Sequence, residues 1–122
     1  MLAYTIVGTN DLQKAAEFYD QILAEFGAAR FLDNERIVSW RATPGQPLFA
    51  VAKPEDRQPA TAGNGVLIAL STSSRATLDA VHAKALKLGG KNEGAPGVRF
   101  EQLYAARFRD LDGNKIELCC FG

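Results

Sequence analysis

Phe108-Arg109-Asp110-Leu111-Asp112-Gly113-Asn114-Lys115-Ile116-Glu117-Leu118-Cys119-Cys120-Phe121-Gly122 reads as a strand, a tight turn and a returning strand. Asp-Gly and Gly-Asn favour the turn because glycine accepts positive φ at no steric cost. The returning strand carries one acidic residue, Glu117, among apolar neighbours. A carboxylate in that setting costs free energy unless a cation, hydrogen bonds or water offset it. Such a glutamate either faces solvent from an edge strand or faces a site, and the stretch alone leaves both open.

Working outward, the residues before this hairpin form a strand at Leu103–Arg109, preceded by a loop over Asn92-Glu93-Gly94-Ala95-Pro96-Gly97. Upstream lies a helix from about Arg75 to Leu88, its apolar stripe at Leu78, Val81, Ala85 and Leu88. Ser73-Ser74 offers its cap and Gly89-Gly90 its stop. An apolar strand, Val66–Ser71, leads into that helix. The first part of the chain has the same outline. A strand over residues 2–8 is followed by a capping sequence at Thr9-Asn10-Asp11, with Asn10 and Gln13 spaced as a capping box. A helix with a stripe at Leu12, Ala15, Ala16, Tyr19, Ile22, Leu23 and Phe26 ends at Gly27. Strands then fall at Ala28–Leu32, Arg36–Arg41 and Pro47–Ala52, and residues 53–65 read as a polar linker holding Pro54 and Pro59.

The halves can be overlaid directly. Residues 38–49 lie over residues 106–117, so that Trp40 meets Phe108, Arg41 meets Arg109, Gly45 meets Gly113 and Phe49 meets Glu117. The expected fold class is α+β: two tandem βαβββ modules forming a curled mixed sheet that lines a cleft. The modules cover about 1–53 and 65–122 of one 122-residue domain.

Bulk properties narrow the partners. Apolar residues make up 47% and charged residues 23%, with 14 basic and 14 acidic side chains and zero formal net charge. That balance argues against nucleic acid or an anionic membrane as main partner. No apolar run approaches the ~20 residues of a membrane span. No basic leader or cleavage site precedes the first strand, and the two cysteines, Cys119 and Cys120, are adjacent on a strand with side chains pointing to opposite faces, which disfavours a disulfide between them. One is expected in the core and the other facing outward. These features point to a reduced, cytoplasmic protein. The one histidine, His82, sits beside the apolar stripe of the second helix and reads as a packing residue.

Two stretches carry a resemblance: Gly8-Thr9-Asn10-Asp11-Leu12 through Ala16-Glu17-Phe18-Tyr19-Asp20-Gln21-Ile22-Leu23, and Phe108–Leu118 with its Asp-Leu-Asp-Gly-Asn-Lys-Ile-Glu core. Together with the internal repeat they resemble the vicinal oxygen chelate superfamily, also called the glyoxalase/bleomycin resistance/dioxygenase superfamily. The resemblance implies a cleft in which enzymes of the family hold a divalent metal on four equivalent strand positions. Carried over one at a time, these fall on Tyr4, on Phe49, on Leu67 or its neighbour Val66, and on Glu117. Only Glu117 is a good ligand, so three of the four positions are substituted. A catalytic divalent ion wants about three protein ligands of histidine or carboxylate type. The expectation is therefore no cofactor; if nickel or zinc binds, Glu117 is its ligand.

The resemblance implies a site in which Glu117 and Tyr4 take any catalytic role. A Tyr4 hydroxyl hydrogen-bonded to Glu117 would offset the buried carboxylate. Ligand contacts are expected from Tyr4, Trp40, Phe49, Leu67, Cys119 and Phe121, with Arg99, Tyr104 and Arg107 binding an anionic or carbonyl group. The function implied is the binding of a small organic ligand at a degenerate metal site, in the manner of bleomycin-sequestering members. The alternative is a metal-dependent lyase or isomerase of the glyoxalase I type, acting on a glutathione hemithioacetal or similar carbonyl compound. The partners expected are that ligand and a second copy of the chain in a homodimer.

Overall fold

The structure is a computed structural model describing residues 1–122. It divides into two compact units, Met1–Ala62 and Gly63–Gly122.

In the first unit the order is β1 (Tyr4–Gly8), α1 (Leu12–Ala24), β2 (Ala29–Asp33), β3 (Ile37–Arg41) and β4 (Leu48–Ala52). The sheet order is β1-β4-β3-β2, with β1 parallel to β4 and the other pairs antiparallel. The cap of α1 is Asp11 rather than Asn10: its side chain accepts from Lys14 N at 3.1 Å. Asn10 is committed elsewhere, its amide donating to Ala60 O and its Oδ1 accepting from Ala60 N at 2.7 Å. Those bonds tie residue 60 of the proposed linker back onto the first unit. Gly27, at φ 75°, supplies the left-handed turn that follows α1.

α1 covers one face of the sheet with Ala15, Ala16, Phe18, Tyr19, Ile22 and Leu23, all buried. Tyr19 is the centre of an aromatic cluster, its ring 4.8 Å from Phe49 and 5.9 Å from Trp40. Trp40 donates its indole N–H to Asp20 Oδ1 at 2.8 Å, and Arg30 donates to both oxygens of the same carboxylate. That polar end lets a Trp be buried at 2% exposure with its N–H satisfied. Alternation places Tyr4, Ile6, Leu48, Ala50 and Ser39 on the opposite, open face.

The second unit repeats the plan: β5 (Ile68–Ser71), α2 (Arg75–Lys87), β6 (Lys91–Val98), β7 (Leu103–Arg109) and β8 (Lys115–Phe121), in the sheet order β5-β8-β7-β6. Ser74 caps α2 through Thr77 N. Residues Asn92–Gly97, expected as a loop, lie within strand β6, the first of the three strands that follow α2. Gly94, Pro96 and Gly97 obscured it. A strand with glycines and a proline is tolerated at a sheet edge, and its pairing with β7 shifts register twice. The stretch is therefore the counterpart of β2 and no insertion, and Tyr104–Arg107 is the counterpart of β3.

The β7–β8 turn shows why Asp-Leu-Asp-Gly-Asn closes the hairpin. Asp110 Oδ1 accepts from Asp112 N and Asn114 N, both at 2.9 Å, while Oδ2 accepts from Asn114 Nδ2. Gly113 takes φ 87°. α2 packs Leu78, Val81, His82 and Ala85 onto the sheet, and His82 Nε2 lies 3.2 Å from Arg107 O. Cys119 and Cys120 occupy opposite faces as expected, yet both are buried, at 8% and 1%. Cys119 is covered on the open face by Leu103 and Ala105.

Candidate functional site

The face of the second sheet turned away from α2 gathers most of the chemistry. Register fixes its members. On β7, Leu103, Ala105, Arg107 and Arg109 alternate with helix-facing residues and pair with Phe121, Cys119, Glu117 and Lys115 of β8. β5 adds Ala69 and Ser71. Leu67, which precedes β5, is 36% exposed.

Glu117 lies centrally, its side chain only 12% exposed. Its Oε1 accepts from Arg107 Nε at 2.8 Å. The cation that offsets this carboxylate therefore comes from the neighbouring strand of its own unit. Arg109 makes a second pair, donating to Glu93 Oε1 at 2.6 Å and to Gly113 O. Beneath them, burial first and the Glu117 charge second push the Cys119 thiol above its ordinary pKa. Cys119 is thus a neutral, apolar floor element near neutral pH rather than a thiolate nucleophile. At one end of the face a groove of about 530 Å³ is lined by Phe100, Glu101, Gln102, Leu103 and Phe121.

Other residues anticipated for the site lie elsewhere. Tyr104 is on the helix side, its hydroxyl donating to Asp79 of α2 at 2.6 Å and Arg75 stacked over its ring. Trp40 and Phe49 belong to the aromatic cluster under α1. The overlay that set Phe49 against Glu117 slips by one residue in β4. Trp40 pairs with Phe49, whereas Phe108 pairs with Ile116, because the β3–β4 turn is one residue longer than the β7–β8 turn. The true counterpart of Glu117 is Ala50, which pairs with Ile6 as Glu117 pairs with Ala69. Tyr4 is 58% exposed at the start of β1. Arg99, one of the expected ligand contacts, falls just beyond β6 and lies against Gly94 and Gly97.

The match to a family model decides the ancestry: the description "Glyoxalase/Bleomycin resistance protein/Dioxygenase superfamily" fits residues 1–118. The chain belongs to that superfamily. Among solved structures, a glyoxalase/bleomycin resistance protein from Albidiferax ferrireducens T118 is similar at 36% identity and TM-score 0.91, covering 98% of each chain. A glyoxalase/bleomycin resistance protein/dioxygenase family enzyme from Burkholderia phytofirmans PsJN shares the fold at 17% identity and TM-score 0.79, again over 98% of each chain. A lactoylglutathione lyase from Agrobacterium tumefaciens shares it at 20% identity and TM-score 0.69, over 98% of this chain and 92% of that one. No curated protein matches.

Membership in the superfamily raises the question of a divalent metal. Of the positions at which the resemblance implies ligands, Glu117 alone is a carboxylate or histidine, and no group of three or more His, Cys, Asp or Glu side chains is gathered anywhere in the chain. The single carboxylate is already engaged by a guanidinium. A divalent ion would have to displace Arg107 and then find its other ligands among water and apolar side chains. These donors do not fit such an ion. No helix is long and apolar enough to cross a membrane.

Proposed function

We propose that this superfamily member binds a small organic ligand directly on the open face of the second sheet, with the Arg107–Glu117 pair as its polar anchor. The observation that carries the reading is that pair itself: a largely covered carboxylate held by an arginine whose side chain stays 42% exposed. Arg107 thus spends one N–H on Glu117 and keeps further donors for an incoming acceptor. Around it Leu103, Ala105 and Cys119 offer an apolar floor that continues toward the groove lined by Phe100 and Phe121. Small-molecule sites combine an apolar lining with a few placed polar groups in this way. Leu67 and Phe121, both exposed, remain ligand contacts in this reading, and Glu117 remains the group available for proton transfer should the bound molecule react.

The test is a thermal-shift screen of aromatic and alkyl-aromatic compounds on protein stripped of metal with EDTA. A ligand at a hundred times its Kd stabilises the native state by about 2.7 kcal/mol, which for a chain of this size raises Tm by roughly 5–10 °C. Hits in EDTA whose shift is lost in Leu103→Glu support direct binding at this face. Shifts that appear only with added nickel or zinc would favour the metal-dependent lyase instead.

The same reading includes a homodimer. The open face of the first sheet presents Tyr4 and Ile6 at 58% and 46% exposure, with Phe31 stacked beneath Arg41 at 4.2 Å. Sedimentation equilibrium should give twice the 13.2 kDa chain mass, and Ile6→Glu should halve it. A wild-type monomer would remove the dimer from the account.

A further inference from the structure

The open face of the second sheet carries a second guanidinium whose placement depends on two missing side chains. Gly94 and Gly97 lie on β6, opposite Arg107 and Ala105 of β7. A Cβ on Gly94 would sit 3.3 Å from Arg99 Nη2 and 3.8 Å from Arg107 Cβ. A Cβ on Gly97 would sit 3.1 Å from Arg99 Nη1. The Arg99 guanidinium therefore folds back over the two glycines, onto the same face as Arg107, with one methyl-sized space between its Nη2 and the Arg107 Cβ. It is pinned there by donating Nη2 to Ala95 O at 2.5 Å. Arg99 makes no ion pair, and the one carboxylate beside Arg107 is shared with that residue alone.

Charge on this face is unbalanced. Lys91, Arg99, Arg107, Arg109 and Lys115 stand against Glu93, Glu117 and, in the groove at its end, Glu101, in a chain whose overall formal charge is zero. Two guanidiniums on one face with N–H groups to spare favour an anion there, since Glu117 engages only the Nε of Arg107. Guanidinium groups match the planar, two-oxygen geometry of carboxylates and the oxygens of phosphates.

We propose that Arg99 and Arg107 form a two-guanidinium clamp for the oxyanion of the ligand, so that the compound taken up is an organic acid. The inference rests on the open-face reading above and narrows it to a chemical class. Leu103 precedes Arg107 by four residues on β7, roughly 13 Å along an extended strand. An acid whose apolar body reaches from the clamp to the Leu103–Phe121 groove spans that length, which an arylalkyl chain does and a compact acid such as acetate does not. Gly94 and Gly97 are positioning residues: they leave room for Arg99 and do not touch the ligand.

The experiment compares phenylalkanoates of graded chain length, the matching neutral amides and the matching alkyl-aryl phosphates, by isothermal titration in EDTA. Acids are expected to bind at least tenfold more tightly than their amides, and longer chains more tightly than benzoate. The acid preference should fall to under threefold in Arg99→Gln, a substitution at an exposed side chain that the fold tolerates. Gly97→Ala should lower the preference in the same direction while amide affinity stays unchanged. Arg107→Lys retains a cation for Glu117 and should also weaken acids selectively. Acids and amides binding equally well in the wild type would overturn the clamp while leaving the open-face site standing, as would an acid preference unchanged in Arg99→Gln. Absence of binding by every compound would overturn both. A preference for phosphates over carboxylates that is lost in Arg99→Gln supports the clamp and assigns it the other oxyanion.

Discussion

Trp40→Ala should cost about 4 kcal/mol of folding free energy and lower Tm by more than ~10 °C. Trp40 is 2% exposed, touches the rings of Tyr19 and Phe49, and donates its N–H to Asp20. Truncation leaves a cavity between α1 and the sheet that aromatic neighbours are too rigid to fill. Total stability for a domain is ~5–15 kcal/mol, so the variant should be marginal at 37 °C. Trp40→Phe keeps a six-membered ring but loses the five-membered ring with its N–H, and should cost about 2 kcal/mol, roughly half the alanine loss. Chemical denaturation of both variants checks the ordering. Near-equal values would mean that the ring packing contributes little.

The same carboxylate gives this cluster a pH dependence. Hydrogen bonding from Arg30 first, and from Trp40, holds Asp20 below its ordinary pKa against the opposing effect of burial. A carboxylate depressed in the folded state stabilises above its unfolded pKa, and that contribution fades as pH falls through the folded value. The stability gap between wild type and Asp20→Asn should therefore be full at neutral pH and close only in acid, below the ordinary carboxylate range.

Arg107→Met should be the second most disruptive change, at about 2–3 kcal/mol, and the loss should be conditional on Glu117. The two partners are unequally exposed: 42% for the arginine side chain and 12% for the glutamate. Removing Arg107 leaves a mostly covered carboxylate without its cation, the costly way to break a pair. Removing Glu117 leaves an arginine that reaches water, so Glu117→Gln alone should cost under ~1 kcal/mol. The double variant Arg107→Met with Glu117→Gln should recover most of the single loss, giving a coupling of about 2–3 kcal/mol in a double-mutant cycle. Additive losses would show that the pair is not the offset for Glu117.

Much of the fold could be read in the residues because local chemistry and tertiary structure agree there. Gly27, Gly45, Gly89 and Gly113 all adopt positive φ at the ends and turns where the repeat places them. Both helices show their buried stripes plainly. β6 was hidden because its Gly94, Pro96 and Gly97 mimic a loop, and only pairing with β7 makes it a strand. The side chains facing the site were harder. An overlay without the extra residue in the β3–β4 turn moves Phe49 from the helix face to the open face, since strand alternation has period two. Trp40 and Tyr104 likewise went to the helix side, where an Asp on α1 and another on α2 receive them. The partner of Glu117 was nonetheless present in the sequence. Closing the Asp110–Asn114 turn symmetrically puts Phe108 against Ile116 and hence Arg107 against Glu117.

That arginine is also where the account is most directly tested. Uniform ¹⁵N labelling, followed by NMR of the backbone amides and the arginine Nε–H groups, reports Arg107 and Arg99 separately from Arg75, which stacks on Tyr104 at the opposite face. Titration of EDTA-treated protein with a phenylalkanoate should move the Arg107 and Arg99 Nε–H resonances saturably and together, in step with the Leu103 and Cys119 amides, while Arg75 stays fixed. Arginine resonances that do not respond, or that respond only after nickel or zinc is added, would contradict metal-free binding at this face.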